Sequence, residues 1–231
     1  MRAHSITVRR TARYYTLGPD NEHAVRDVWF VLHGYGQLAA QFLTIFEPLD
    51  DGRRLIVAPE ALNRFYVGSV DSAPAAERAV GATWMTREDR ENEIDDYVAY
   101  LDCVSGEVVE RLRNEGGTPR VVLLGFSQGA ATASRWVAQG SLRPNHVVLW
   151  GGLLPPEADV SRRDQPLRHA TLHVLVGSRD RFLSAERIAE EERRMRDADL
   201  TVRVERYTGG HGIAKEPLLE LARLLDAMPN E

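Results

Sequence analysis

What this chain has little of narrows its reading first. It carries a single cysteine, Cys103, which excludes an internal disulfide and any multi-cysteine metal site and is compatible with a reducing compartment. Cys103 falls in a helical pattern away from every other motif, so it is expected to be a small core residue or a bystander rather than a nucleophile. No stretch approaches the roughly 20 consecutive apolar residues of a membrane span. The opening Met1–Arg10 has no apolar segment of secretory length. A soluble, cytoplasmic protein with no integral membrane segment is the expectation. A surplus of charge is also missing: the formal net charge is −5, with arginines scattered among carboxylates. That leaves no basic face for nucleic acid and no strong field for an acidic ligand. What remains, 231 residues of which 43% are hydrophobic and with no internal repeat, is enough for one large core and predicts a single α/β domain over 1–231.

The apolar residues come in short runs that alternate with helical spacing. Val28–Leu32, Leu55–Ala58, Val121–Leu124, His146–Trp150 and Leu172–Val176 read as strands buried on both faces, and Val202 and Val204 start a further strand that runs through Tyr207. Between them, Phe42, Ile45, Phe46 and Leu49 lie near helical spacing. So do Ile94, Val98, Leu101, Val104, Val108 and Leu112, a helix that Gly116-Gly117 should end. The charged run Ser184–Ala198 predicts a helix with Ile188 and Met195 inward, and a last helix holds Leu218 to Leu225. Loose alternation over Ile6–Thr16 suggests an edge strand or hairpin, and Glu60–Arg90 reads as a long, ordered loop. Strand–helix alternation of this kind predicts a mostly parallel central sheet with helices on both faces. In such a sheet the active residues gather beyond the carboxyl ends of the strands.

One junction stands out. Val121–Leu124 runs into Gly125-Phe126-Ser127-Gln128-Gly129 and then into an alanine-rich helical stretch. A G-x-S-x-G turn between strand and helix can hold its serine strained and exposed, beside the free N–H groups of the helix start. A serine hydroxyl is a poor nucleophile at neutral pH and needs a base, which in turn needs a carboxylate to fix its tautomer. Of seven histidines, His4 and His23 precede the first strong strand, His146 and His173 lie in strands, His169 comes before one, and His33 adjoins a Gly-Tyr-Gly turn. Only His211 follows a late strand within a glycine-rich loop. For the acid, Asp180 stands just past Val176, and its rival Asp159 lies further beyond Trp150. The order Ser127, Asp180, His211 is that of the α/β-hydrolase arrangement. That arrangement also needs two backbone donors for an oxyanion: the N–H of Gln128, and one from the loop after an early strand, for which His33-Gly34-Tyr35-Gly36 nominates Tyr35.

These motifs together, Leu32-His33-Gly34-Tyr35-Gly36, Gly125-Phe126-Ser127-Gln128-Gly129-Ala130, Gly177-Ser178-Arg179-Asp180 and Gly209-Gly210-His211, resemble those of the phospholipase/carboxylesterase family, which includes the acyl-protein thioesterases. The resemblance spans about Val28 to Leu225. It implies an α/β-hydrolase fold and hydrolysis of a small-molecule carboxylic ester, thioester or lysophospholipid without metal or cofactor. The implied catalytic residues are Ser127, Asp180 and His211, with Tyr35 and Gln128 as oxyanion donors. Ala82-Thr83-Trp84-Met85 is similar to a Trp-containing segment near the family's substrate cleft, which makes Trp84, with Phe182, a pocket candidate. Tyr35 replaces a frequent leucine, and Arg64–Val80 follows no family pattern. A homodimer is compatible with the resemblance. A binding protein on the same fold, or a triad hydrolase acting on an amide, is the alternative reading.

Overall fold

The computed structural model describes residues 1–68, 77–115, 118–158, 160 and 164–228. Its strands are β1 (Tyr14–Leu17), β2 (Asp27–Leu32), β3 (Arg54–Pro59), β4 (Asn63–Tyr66), β5 (Val80–Thr83), β6 (Arg120–Phe126), β7 (His146–Trp150), β8 (Thr171–Gly177) and β9 (Val202–Tyr207). Its α-helices are α1 (Ala39–Leu43), α2 (Arg90–Asn114), α3 (Gln128–Gln139), α4 (Ala185–Asp197) and α5 (Lys215–Asp226). Seven strands form one sheet in the order β1-β3-β2-β6-β7-β8-β9. Every pairing in it is parallel except that of β1 with β3. The chain steps outward from β2 to β3 and later resumes at β6 on the other side of β2. The carboxyl ends of β2 and β6 therefore flank the point where the winding reverses, which is where open parallel sheets form crevices.

The apolar runs divide by the two-residue period of a strand. Val28, Phe30 and Leu32 of β2 face a core shared with Ile94 and Leu101 of α2, Ala133 and Trp136 of α3, and Ile188 and Met195 of α4. Trp29 and Val31 face the opposite core, with Phe42 of α1, Phe46, and Leu218, Leu221 and Leu225 of α5. Burial on both sides is why these strands read as unbroken hydrophobic runs. The α/β-hydrolase expectation of a mostly parallel sheet with helices on both faces is met.

Several local expectations are revised. The edge strand is confined to Tyr14–Leu17; earlier in the tail Ile6 and Val8 are exposed, so alternation there has no partner strand to stabilise it. The helix through Phe42 gives way after Leu43 to a tighter 3-10 segment, Thr44–Leu49, that contains Pro48, a residue with no N–H to continue an α-helical ladder. Within the supposed long loop, β4 and β5 pair as an antiparallel hairpin. Cys103 is exposed on α2, a bystander rather than a core residue. Gly116-Gly117 and Asp159 lie outside the described residues.

The amino ends of the central strands carry buried polar groups. The Arg120 guanidinium donates to both oxygens of Asp27, at 2.7 and 3.1 Å, and Arg54 pairs with Asp226 at 2.5 Å. These contacts tie β6 to β2 and α5 to β3. Beside them His146 on β7 and His173 on β8 are buried, with ring nitrogens 3.4 Å apart. Burial, reinforced by the charge of Arg120, pushes His146 down to about 4, and burial with the neighbouring His146 pushes His173 down to about 3. Both are neutral in the folded state near neutral pH, whereas in the unfolded chain they protonate near the usual value of about 6.5. Stability is thus unaffected by this pair above about pH 6.5. It falls as the pH drops below that value, because the unfolded state then binds more protons. The urea midpoint is expected to decline between pH 6.5 and 5, and less steeply in a His173→Leu variant; equal slopes would contradict this origin of acid sensitivity.

Candidate active site

The candidate residues lie just past the carboxyl ends of four parallel strands, β2, β6, β8 and β9. At the centre the chain turns from β6 into α3 at one residue. Ser127 has φ 54° and ψ −113°, a positive-φ conformation that costs a non-glycine residue energy and persists only where its surroundings enforce it. Here they do so through close packing: a Cβ on Gly125 would lie 2.1 Å from the Gly129 carbonyl oxygen, and one on Gly129 would lie 2.3 Å from that of Leu32. Strand and helix can cross this closely only because both positions lack a side chain. The Ser127 N–H donates to the Trp150 carbonyl at 2.8 Å, which pins the turn to β7.

The hydroxyl of Ser127 lies 2.9 Å from His211 Nε2, and His211 Nδ1 lies 2.7 Å from Asp180 Oδ2. The Asp180 carboxylate is almost fully enclosed, and its other oxygen accepts the Phe182 N–H at 2.8 Å. The imidazole is packed between Phe126, 5.1 Å away, and Phe182, whose ring meets it edge-on at 4.6 Å. Its loop is held from below by residues that sequence reasoning passed over. Trp150 Nε1 donates to the Tyr207 hydroxyl at 2.9 Å, and that hydroxyl donates to the Gly212 carbonyl at 2.5 Å. Both side chains sit at the last residue of a strand, a position that does point to the site, but nothing in their spacing discloses the pairing.

His33, the other histidine after a strand, is unavailable as a base. It is fully buried, Nε2 accepts the Ala61 N–H at 3.0 Å and Nδ1 lies 2.8 Å from the Gly34 carbonyl. Burial lowers its pKa, which keeps it neutral. In the loop it begins, Gly34 N–H donates to Gln37 Oε1 and Gly36 N–H to the Ala82 carbonyl. The Tyr35 N–H between them has no acceptor among the described residues. The same holds for the Gln128 N–H, which opens α3 and therefore has no intrahelical acceptor.

The two pocket candidates fare differently. Phe182 is 56% exposed beside His211. On the loop after β2, Tyr35 is 63% exposed and its ring lies 5.1 Å from that of Phe65 on β4. Trp84, by contrast, is 1% exposed. Its indole N–H donates to the His33 carbonyl at 2.8 Å, and its ring packs on those of His33 and Tyr97. It offers no face to a substrate, so it does not line an open pocket. Among the described residues no group of three or more His, Cys, Asp or Glu side chains could hold a metal ion, and no helix is long and apolar enough to cross a membrane.

Comparison with known proteins bears on the fold and on the class of chemistry. The model of the family "Serine hydrolase (FSH1)" matches residues 51–217, more than half of the chain. No curated protein matches the chain. Among solved structures, a carboxylesterase from Mesorhizobium loti superimposes with a TM-score of 0.67 at 15% identity, over 94% of this chain and 95% of its own. Esterase PE8 gives 0.66 at 19% identity, over 95% and 100%. Acyl-protein thioesterase 2 of Zea mays gives 0.65 at 17%, over 94% and 99%. Identities this low speak for the fold alone, and the family model speaks for the chemistry. The chain belongs to the FSH1 family of serine hydrolases and is built on the α/β-hydrolase fold.

Proposed function

We propose that this serine hydrolase is a carboxylesterase that cleaves small-molecule esters or thioesters through an acyl-enzyme, within one catalytic domain spanning 1–231. The observation that carries the reading is the unbroken hydrogen-bonded chain from Ser127 through His211 to Asp180, at 2.9 and 2.7 Å. Both contacts are short enough for a proton to pass without side-chain rearrangement.

Ser127 Oγ attacks the substrate carbonyl carbon while His211 Nε2 takes its proton. Asp180, bonded to Nδ1, holds the tautomer that leaves Nε2 free to accept and stabilises the resulting imidazolium. The carbonyl oxygen gains negative charge, which the Tyr35 and Gln128 N–H groups receive. Collapse of the tetrahedral species breaks the bond to the leaving oxygen or sulfur, which departs with the proton from His211. Water then repeats the sequence on the acyl-enzyme, giving up a proton to His211, which passes it to Ser127 Oγ as the bond to the acyl carbon breaks and the acid leaves. Every proton and electron pair is accounted for by these residues, substrate and water, so the scheme calls for no metal or cofactor. The exposed rings of Tyr35 and of Phe182, which lies against His211, are suited to an apolar acyl or alcohol portion. The names of the solved esterases and thioesterase on this fold support an ester or thioester as the scissile group.

Ser127→Ala is expected to lower kcat/KM for a short-chain nitrophenyl ester by at least about 10³-fold, and Asp180→Asn by about 10³- to 10⁴-fold. Initial rates, with folding followed by circular dichroism, check this; a Ser127→Ala protein within tenfold of wild type would contradict it. The Tyr35 role assigns chemistry to the backbone and binding to the ring. Tyr35→Ala should therefore raise KM about 5-fold for an ester with a bulky acyl group, the loss of about 1 kcal/mol of ring contact, with kcat changed less than twofold. A tenfold loss in kcat at unchanged KM would reverse that assignment.

A further inference from the structure

The two N–H groups proposed to hold the oxyanion come from elements far apart in the chain, the loop after β2 and the first residue of α3. Between them runs a single segment, Gly81–Met85, which finishes β5 and continues past it. On one side it is laced to the loop after β2. Gly36 N–H donates to the Ala82 carbonyl at 2.9 Å, Ala82 N–H donates to the Gln37 carbonyl at 3.1 Å, and the Trp84 indole N–H donates to the His33 carbonyl at 2.8 Å. These contacts bracket Tyr35. The approach is close enough that a Cβ on Gly81 would sit 2.4 Å from the Gly36 carbonyl oxygen.

On its other side the segment is held by the Gln128 side chain. Gln128 Oε1 accepts the Trp84 N–H at 3.1 Å. Its Nε2 donates to the Met85 carbonyl and to the Thr83 hydroxyl, both at 2.9 Å. One amide side chain thus meets three consecutive residues of the segment, and Ala82, Thr83, Trp84 and His33 are all buried. Hydrogen bonds enclosed in this way are strong and cooperative, and a buried group that loses its partner is costly. The network has little freedom to slacken.

We infer that Gly81–Met85 is a strap that sets the separation of the two oxyanion donors, with the Trp84 indole and the Gln128 side chain as positioning residues for the hydrolysis. The inference rests on the esterase reading above and deepens it. Trp84 acts by tension on the His33–Tyr35 loop rather than by touching substrate, which accounts for its burial. The amide of Gln128 orients the helix start whose own N–H points at the developing charge. Donors that drift by a fraction of an ångström lose alignment with the oxyanion, while the ground-state complex and the Ser127–His211–Asp180 chain are untouched.

The test compares Trp84→Phe, which deletes only the indole donor, and Gln128→Met, which keeps the backbone N–H and side-chain length but removes the amide. Thr83→Val serves as a third variant should either fail to fold. Each should lose about 10- to 100-fold in kcat for a nitrophenyl ester with KM within twofold. Affinity for a trifluoromethyl ketone, which forms an oxyanion on Ser127, should fall by the same factor. Unchanged kcat and ketone affinity in folded variants would overturn the strap, as would a loss confined to KM or a loss of kcat without loss of ketone affinity. Failure of the esterase reading itself shows separately, as activity retained by Ser127→Ala.

Discussion

The structure depends on a backbone constraint at one residue. To present Ser127 above the sheet, the chain must leave β6 and enter α3 through a one-residue turn, and it does so by placing a serine at positive φ. Such a conformation is tolerable only if neighbouring segments approach too closely to allow relaxation. The bare positions at Gly125 and Gly129, the bond from Ser127 N–H to Trp150, and the packing of Gly129 on the end of β2 supply that confinement. The strained residue is also the proposed nucleophile: its conformation holds the hydroxyl 2.9 Å from His211 Nε2.

Around that point the work is divided by loop. β8 carries the carboxylate and β9 the imidazole, and the Trp150–Tyr207–Gly212 bonds keep the histidine loop from sagging away. β2 brings Tyr35. The precision of the site comes from ties between these loops. The rim differs in character. Tyr35 and Phe182 are exposed aromatic surfaces, which can change with substrate while the buried ties beneath stay the same.

Much of this was legible in the chain because its signals are local. β7 covers the predicted His146–Trp150, and β9 ends at Tyr207 as expected, because residues buried on both faces leave an unbroken apolar run. Ser127, Asp180 and His211 could be nominated without coordinates, since each follows a strand and the winding rule brings strand ends together. What escaped notice depends on contacts distant in sequence. The β4–β5 hairpin consists of four-residue strands, and β4 alternates between half-buried and exposed residues, a pattern too short to rise above loop composition. The pocket expectation for Trp84 follows from the likeness of Ala82–Met85 to a segment near the family's substrate cleft; its hydrogen bond to His33, 51 positions away, has no signature in spacing. The Gln128 side chain was overlooked for the same reason, its backbone having supplied a sufficient role.

The most direct test of the central claim is covalent. Incubated with a fluorophosphonate, the folded protein should gain one adduct mass, and peptide mass spectrometry should locate it on Ser127, with labelling slowed by orders of magnitude in a folded His211→Ala variant. Adduct formation on another residue, or labelling of the His211→Ala protein at the wild-type rate, would contradict the account.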